Sequence, residues 1–123
     1  MNALRIAVAS VTLLLIAAAA HAQNAAVGAW DITTISPEGE FQSVLEVREE
    51  AGKLVAVGKS PQGERPYDSV AVEGSKITLV ITIAYNGSPM VITYMGKIDK
   101  TKMEGEADYG GLATGTWSAV ARK

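Results

Sequence analysis

The chain has 123 residues, with 11 Lys and Arg against 13 Asp and Glu, a net charge of −2, one histidine and no cysteine. Without cysteine, neither a disulfide framework nor a thiolate nucleophile is available. A mildly acidic chain with no basic run lacks the phosphate-neutralising charge that dominates nucleic-acid affinity, so no nucleic-acid partner is expected.

The N-terminus reads as a leader. Arg5 supplies a basic start, residues 6–20 carry no charge, and Ala20-His21-Ala22 matches the small-residue pattern of a signal-peptide cleavage site. The apolar run falls short of the roughly 20 residues that a membrane-spanning helix needs. No cysteine is present to take a lipid, so no stable membrane anchor is expected. Residues 1–22 are therefore expected to be a signal peptide and residues 23–123 a single exported domain, periplasmic or secreted. Cleavage after Ala22 removes His21. The chain from Gln23 then holds neither histidine nor cysteine, and its ten basic residues face thirteen acidic ones. Ser-His-Asp and Cys-His nucleophiles are excluded, as are zinc and copper sites built on imidazole or thiolate. No cofactor, metal or catalytic residue is expected, and the protein is not expected to be an enzyme.

From Gln23 onward the chain is punctuated by turn signals at short, even intervals. They are Ser36-Pro37-Glu38-Gly39, Glu50-Ala51-Gly52, Ser60-Pro61-Gln62-Gly63, Glu73-Gly74-Ser75, Asn86-Gly87-Ser88-Pro89, Ile98-Asp99-Lys100-Thr101 and Tyr109-Gly110-Gly111. These seven turns imply eight strands. The segments between them alternate as half-buried strands do. In 40–48, Phe41, Leu45 and Val47 oppose Glu40, Gln42, Glu46 and Arg48. In 76–85, Ile77, Leu79, Ile81, Ile83 and Tyr85 oppose Thr78 and Thr82. Asn86-Gly87 can adopt the positive φ angles of a two-residue hairpin, which would keep Ile83 and Tyr85 on the face of Met90, Ile92 and Tyr94. In 102–109, Met103, Gly105, Ala107 and Tyr109 oppose Lys102, Glu104, Glu106 and Asp108. No segment has the periodicity of an amphipathic helix. Short local connections predict an all-β, eight-stranded antiparallel up-and-down barrel, with a two-sheet sandwich as the alternative.

Gly28-Ala29-Trp30 opens the first strand, and Gly115-Thr116-Trp117 opens the last, followed by Ser118, Ala119 and, near the end, Arg122. With a Gly-x-Trp on the first strand and a late arginine, the chain resembles the calycin superfamily, in particular the short lipocalin-like domains of secreted bacterial proteins. The resemblance implies a barrel whose end is closed by the Trp30 indole, with Arg122 laid across it. Arg122 has the opposite parity from Trp117. Polar groups matching an avidin-type biotin site are not found, and no biotin is expected.

Six residues are candidates for ligand contact: Trp30, Tyr85, Tyr94, Tyr109, Trp117 and Arg122. A tyrosine pointing into a barrel brings a hydroxyl that must find a partner, and Tyr85, Tyr94 and Tyr109 have inward parity, whereas Tyr67 is not placed by it. The remaining lumen positions are Ile, Leu, Val, Met and Ala, which suits an apolar small molecule held by one or two hydrogen bonds. The glycine-rich run 110–116 lacks the lysine of a phosphate-binding loop and reads as a hairpin turn. Glu104, Glu106 and Asp108 share a face with Lys102 and read as solvated charges.

The expected function is a non-catalytic barrel that binds an apolar small molecule or serves as an accessory binding module. The alternative is a protein partner: a periplasmic interaction module such as an inhibitor of a secreted protease, with residues 23–27 as its inserting trunk. A barrel enzyme using tyrosine and carboxylate would need a buried Asp31 or Asp68. Val55, Val57, Val91 and Met95 are candidates for an outer apolar patch that a homodimer would bury.

Overall fold

A computed structural model describes residues 25–122. The expected leader, its His21, and Gln23 and Asn24 lie outside the described residues. Among the described residues nine strands follow one another: β1 (Gly28–Ser36), β2 (Gly39–Glu50), β3 (Lys53–Ser60), β4 (Gly63–Pro66), β5 (Ser69–Glu73), β6 (Lys76–Tyr85), β7 (Ser88–Asp99), β8 (Lys102–Tyr109) and β9 (Ala113–Ala121). They form one antiparallel sheet in the order β4-β3-β2-β1-β9-β8-β7-β6-β5, rather than the two sheets of a sandwich.

The strands alternate as their side chains dictate. In β6, Ile77, Leu79 and Ile81 are buried, Thr78 and Val80 are half-buried, and Thr82 is exposed. β-Branched residues crowd this strand and suit a pleated, half-buried surface. Asn86 and Gly87 take φ of 52° and 81°, joining Tyr85 to its partner Ser88 by a two-residue turn. The hairpin then pairs Ile83 with Met90 and Ile81 with Ile92, the register expected from the sequence. Phe41 keeps the inward parity of Leu45 and Val47 yet remains 56% exposed, because it stands at an open end.

The strand count is nine, not eight, and the reason is local. Gly63 to Glu73 reads as one strand but divides at Pro66, which has no N–H to donate to a ladder. β4 pairs only with β3, and β5 only with β6. The first and last strands meet through Trp30–Ala121 to Ile35–Thr116, so the seam falls in mid-chain rather than between the termini. The sheet is therefore not closed by a continuous ladder. The two residues that join β4 to β5 are tied one to each side of the seam: Tyr67 N–H donates to Ala56 O of β3 at 2.9 Å, and Asp68 N–H to Val80 O of β6 at 2.7 Å. The Thr82 hydroxyl donates to the Asp68 carboxylate at 2.6 Å on the outside of that crossing.

Packing divides the barrel into two levels. At the end carrying the turns after β2, β5 and β7, side chains fill the interior. Leu45, Val47, Ile77, Leu79 and Met103 are fully buried there. Each such side chain contributes about 1.5–3 kcal/mol relative to leaving it in water. Trp30 belongs to this level, 2% exposed, and its indole N–H donates to the carbonyl of the buried Ala26 at 2.9 Å. Trp117 forms the boundary. Trp117, Gly105 and Gly96 pair in one row across β9, β8 and β7. The indole reaches β7, where its N–H donates to Met95 O at 3.2 Å. A Cβ on Gly96 would stand 2.7 Å from Trp117 Cζ2, and one on Gly105 would overlap the Met95 carbonyl oxygen. Glycine at 96 gives the indole its seat, and glycine at 105 permits the close approach of β8 to β7 beside it.

Candidate functional site

The other level of the barrel is hollow. A cavity of about 670 Å³ opens between the β1–β2, β3–β4, β6–β7 and β8–β9 turns. Ile81, Ile83, Met90, Ile92 and Phe41 supply its apolar walls, and Thr34, Ser43, Tyr67, Tyr94 and Tyr109 bring hydroxyls to the lining. Two similar turns border the mouth, Ser36-Pro37-Glu38-Gly39 and Ser60-Pro61-Gln62-Gly63. In each, the serine hydroxyl accepts the N–H two residues ahead, at 3.2 Å from Glu38 and 3.3 Å from Gln62. Such side-chain turns hold a loop without help from the interior, leaving the space beneath open.

An aromatic series marks the floor. Tyr94 meets Trp117 edge-on at 6.0 Å between ring centroids, and Tyr67 tilts 58° against Tyr94 at 6.3 Å. Both phenols resist ionisation. Burial pushes Tyr67 up to about 12. Tyr94 is raised further by burial, then by Tyr67 and Tyr109 nearby, with a hydrogen bond involving Thr34 pulling the other way. Burial also raises Tyr109. These three hydroxyls are therefore neutral at physiological pH, each able to donate or accept one bond to a guest. Tyr85 is raised chiefly by the hydrogen bond its hydroxyl donates to Glu38, a pairing that ties the β6–β7 turn to the β1–β2 turn across the rim.

Of the six residues singled out from the sequence, the fold brings three to the cavity: Tyr85, Tyr94 and Tyr109. Trp30 lies at the filled end and does not line it, and Trp117 packs beneath Tyr94. Arg122 sits where its parity puts it, on the outer face. There its guanidinium Nε pairs with Asp31 at 3.2 Å, rather than crossing the Trp30 indole as the resemblance implies. That pair also leaves Asp31 exposed, and Asp68 is exposed beside Thr82, so neither is the buried carboxylate that acid–base chemistry would need. Among the described residues, no three His, Cys, Asp or Glu side chains gather as a metal site. Asp108 caps the β8–β9 turn by accepting the Gly111 N–H at 2.9 Å. The four outer residues Val55, Val57, Val91 and Met95 do not form one patch, because β3 and β7 are not neighbours in the sheet.

Two lining residues escaped the sequence pattern. Tyr67 and Arg65 flank Pro66, where the two-residue alternation breaks and parity cannot be counted. A proline inside an expected strand was the available signal. Arg65 also corrects the expectation of a lumen without charge, since it pairs with the inward Gly58 and lines the cavity mouth.

No family model matches the chain, and no curated protein matches it. Among solved structures, a redesigned β-barrel, b11L5F_LGL, superposes with a TM-score of 0.62 at 17% identity, over 83% of this chain and 96% of that one. Two others align less well. The redesigned barrel mFAP1, bound to DFHBI, gives a TM-score of 0.48 at 16% identity, over 82% of this chain and 98% of that one. A de novo designed fluorescence-activating β-barrel gives 0.44 at 12% identity, over 82% of this chain and 97% of that one. The first likeness agrees with the strand order: the fold is a small antiparallel up-and-down β-barrel.

Proposed function

We propose that this chain is a non-catalytic binding module of the short lipocalin-like kind, exported by its N-terminal leader, which takes one small, largely apolar molecule into the open half of the barrel. The observation that carries it is the division of the interior: side chains fill one end completely, while the other keeps a cavity of about 670 Å³ lined by isoleucines and neutral phenols. A barrel of about eight strands can be filled by its own side chains or hold one small ligand, and this one does each in a different half. The tyrosines would orient the guest by one or two hydrogen bonds, and the aliphatic walls would supply most of the affinity.

The test uses N-phenylnaphthylamine, a neutral dye that brightens in apolar surroundings. The wild-type chain should bind it saturably. Ser43→Trp, which puts an indole into the cavity from a half-buried position on β2, should abolish binding while the protein still unfolds cooperatively. Unchanged binding in that variant, or none in the wild type, would overturn the proposal. Native mass spectrometry of protein purified from its own compartment then identifies the resident molecule.

A further inference from the structure

The cavity mouth carries one guanidinium, Arg65, without an ion-pair partner among the described residues. Arg65 lies in β4 directly across from Gly58, which pairs on its other side with the buried Leu45, so Arg65 takes the inward face. Gly58 has no side chain, and the space beside it is bounded by the Tyr67 ring, whose Cε1 lies 3.4 Å from where a Cβ would stand. Three charged residues line this cavity: Glu38, Glu64 and Arg65. Two of them are engaged. The Glu64 carboxylate is 3.5 Å from Lys59 Nζ, which also holds Glu46 at 2.9 Å on the outer face. Glu38 accepts the Tyr85 hydroxyl across the rim and keeps its negative charge there, so any anion must be held at Arg65 itself.

A free guanidinium presents five donors in a planar fork, the shape that matches a carboxylate or sulfonate. Below it the cavity offers hydroxyls and hydrocarbon only, so a charged group carried deeper would lose its hydration without a counter-charge. The two ends of the site therefore ask for different chemistry. We propose, building on the ligand-binding reading above, that the site selects amphipathic anions: an aromatic body seated toward Tyr67 and Tyr94, and an anionic oxygen group held at the mouth by Arg65. Arg65 is then the residue that sets charge selectivity, while the phenols and isoleucines set affinity for the body.

Two probes with the same anilinonaphthalene body separate these roles: N-phenylnaphthylamine, which is neutral, and anilinonaphthalenesulfonate, which adds the anion. The full chain is titrated with each at neutral pH and low salt, with displacement of one by the other showing that they share the cavity. The sulfonate should bind more tightly than the amine. Arg65→Gln should weaken the sulfonate about three- to tenfold, as for a partly solvated charge pair, and move the amine by less than about twofold. Arg65→Lys should restore part of the preference, and added salt should erode it in the wild type and in Arg65→Lys but have little effect in Arg65→Gln. If Arg65→Gln leaves the sulfonate unchanged, or weakens both probes alike, Arg65 does not select charge and the inference falls. If the amine binds and the sulfonate does not, anion selection is overturned while the binding cavity stands. If neither probe binds, the cavity reading itself fails and carries this one with it.

Discussion

Tyr94 and Trp117 meet edge to face, their ring centroids 6.0 Å apart and their planes at 80°. Trp117 is held from the far side, by Met95 O on its indole N–H and by the bare backbone at Gly96, while the absence of a side chain on Gly105 lets the β7 backbone approach. Tyr94 faces the cavity with its hydroxyl end. One contact thus joins the packed half of the barrel to the open half, and edge-to-face pairs of this kind are worth about 0.5–1.5 kcal/mol beyond the area they bury.

The glycines under that contact should tolerate no side chain. Gly105→Ala would drive a methyl group into the Met95 carbonyl oxygen, and we expect a loss of about 3 kcal/mol or failure to fold. Gly58→Ala is the control, because its nearest neighbour, Tyr67 Cε1, stands at an ordinary 3.4 Å. It should cost less than about 1 kcal/mol. Urea denaturation of the two variants reads the difference directly, and equal losses would mean that the close approach at Gly105 is not a constraint on the fold.

Stability and binding should come apart between the two ends of the barrel. Trp30→Phe removes an indole N–H that bonds Ala26 O at the filled end, and should cost about 1–3 kcal/mol while leaving N-phenylnaphthylamine affinity intact. Tyr94→Leu removes a phenol from the cavity floor, and should weaken the dye more than it weakens the fold. Dye titrations and thermal melts of both variants check this. Parallel losses in each would show a single cooperative unit with no division of labour.

Alkaline pH should unfold the protein before its inner tyrosines ionise. Burial raises Tyr67 from the ordinary 10.0 to about 12, and raises Tyr94 as well, so the folded chain holds these protons more tightly than the unfolded one. Their contribution is complete below pH 10 and is lost as pH rises through about 12, because only the unfolded chain releases the protons readily in that window. Melting temperature should therefore decline between pH 10 and 12. Phenolate absorbance should rise in step with loss of structure rather than ahead of it. Full ionisation of all four tyrosines in a still-folded chain would contradict the burial of Tyr67 and Tyr94.

What the amino-acid order determines by itself is local and periodic. The alternation in 76–85 and 102–109, with Asn86-Gly87 between strands that match in register, was enough for the antiparallel pairing and for the inward parity of Tyr85, Tyr94 and Tyr109. A period of two leaves only one face to bury, so the pattern assigns the face without any knowledge of neighbours. Parity fails where the chain leaves the ladder. Pro66 interrupts it, which is why the ninth strand, the mid-chain seam and the inward positions of Arg65 and Tyr67 could not be counted from sequence. Depth along the barrel is equally invisible to parity. Trp30, Trp117 and Tyr94 share one inward pattern, yet Trp30 fills the closed end, Trp117 forms the boundary and only Tyr94 lines the cavity. That distinction rests on the stagger between strands and on the close approach at Gly96 and Gly105, contacts between residues distant in the chain that only the assembled sheet brings together.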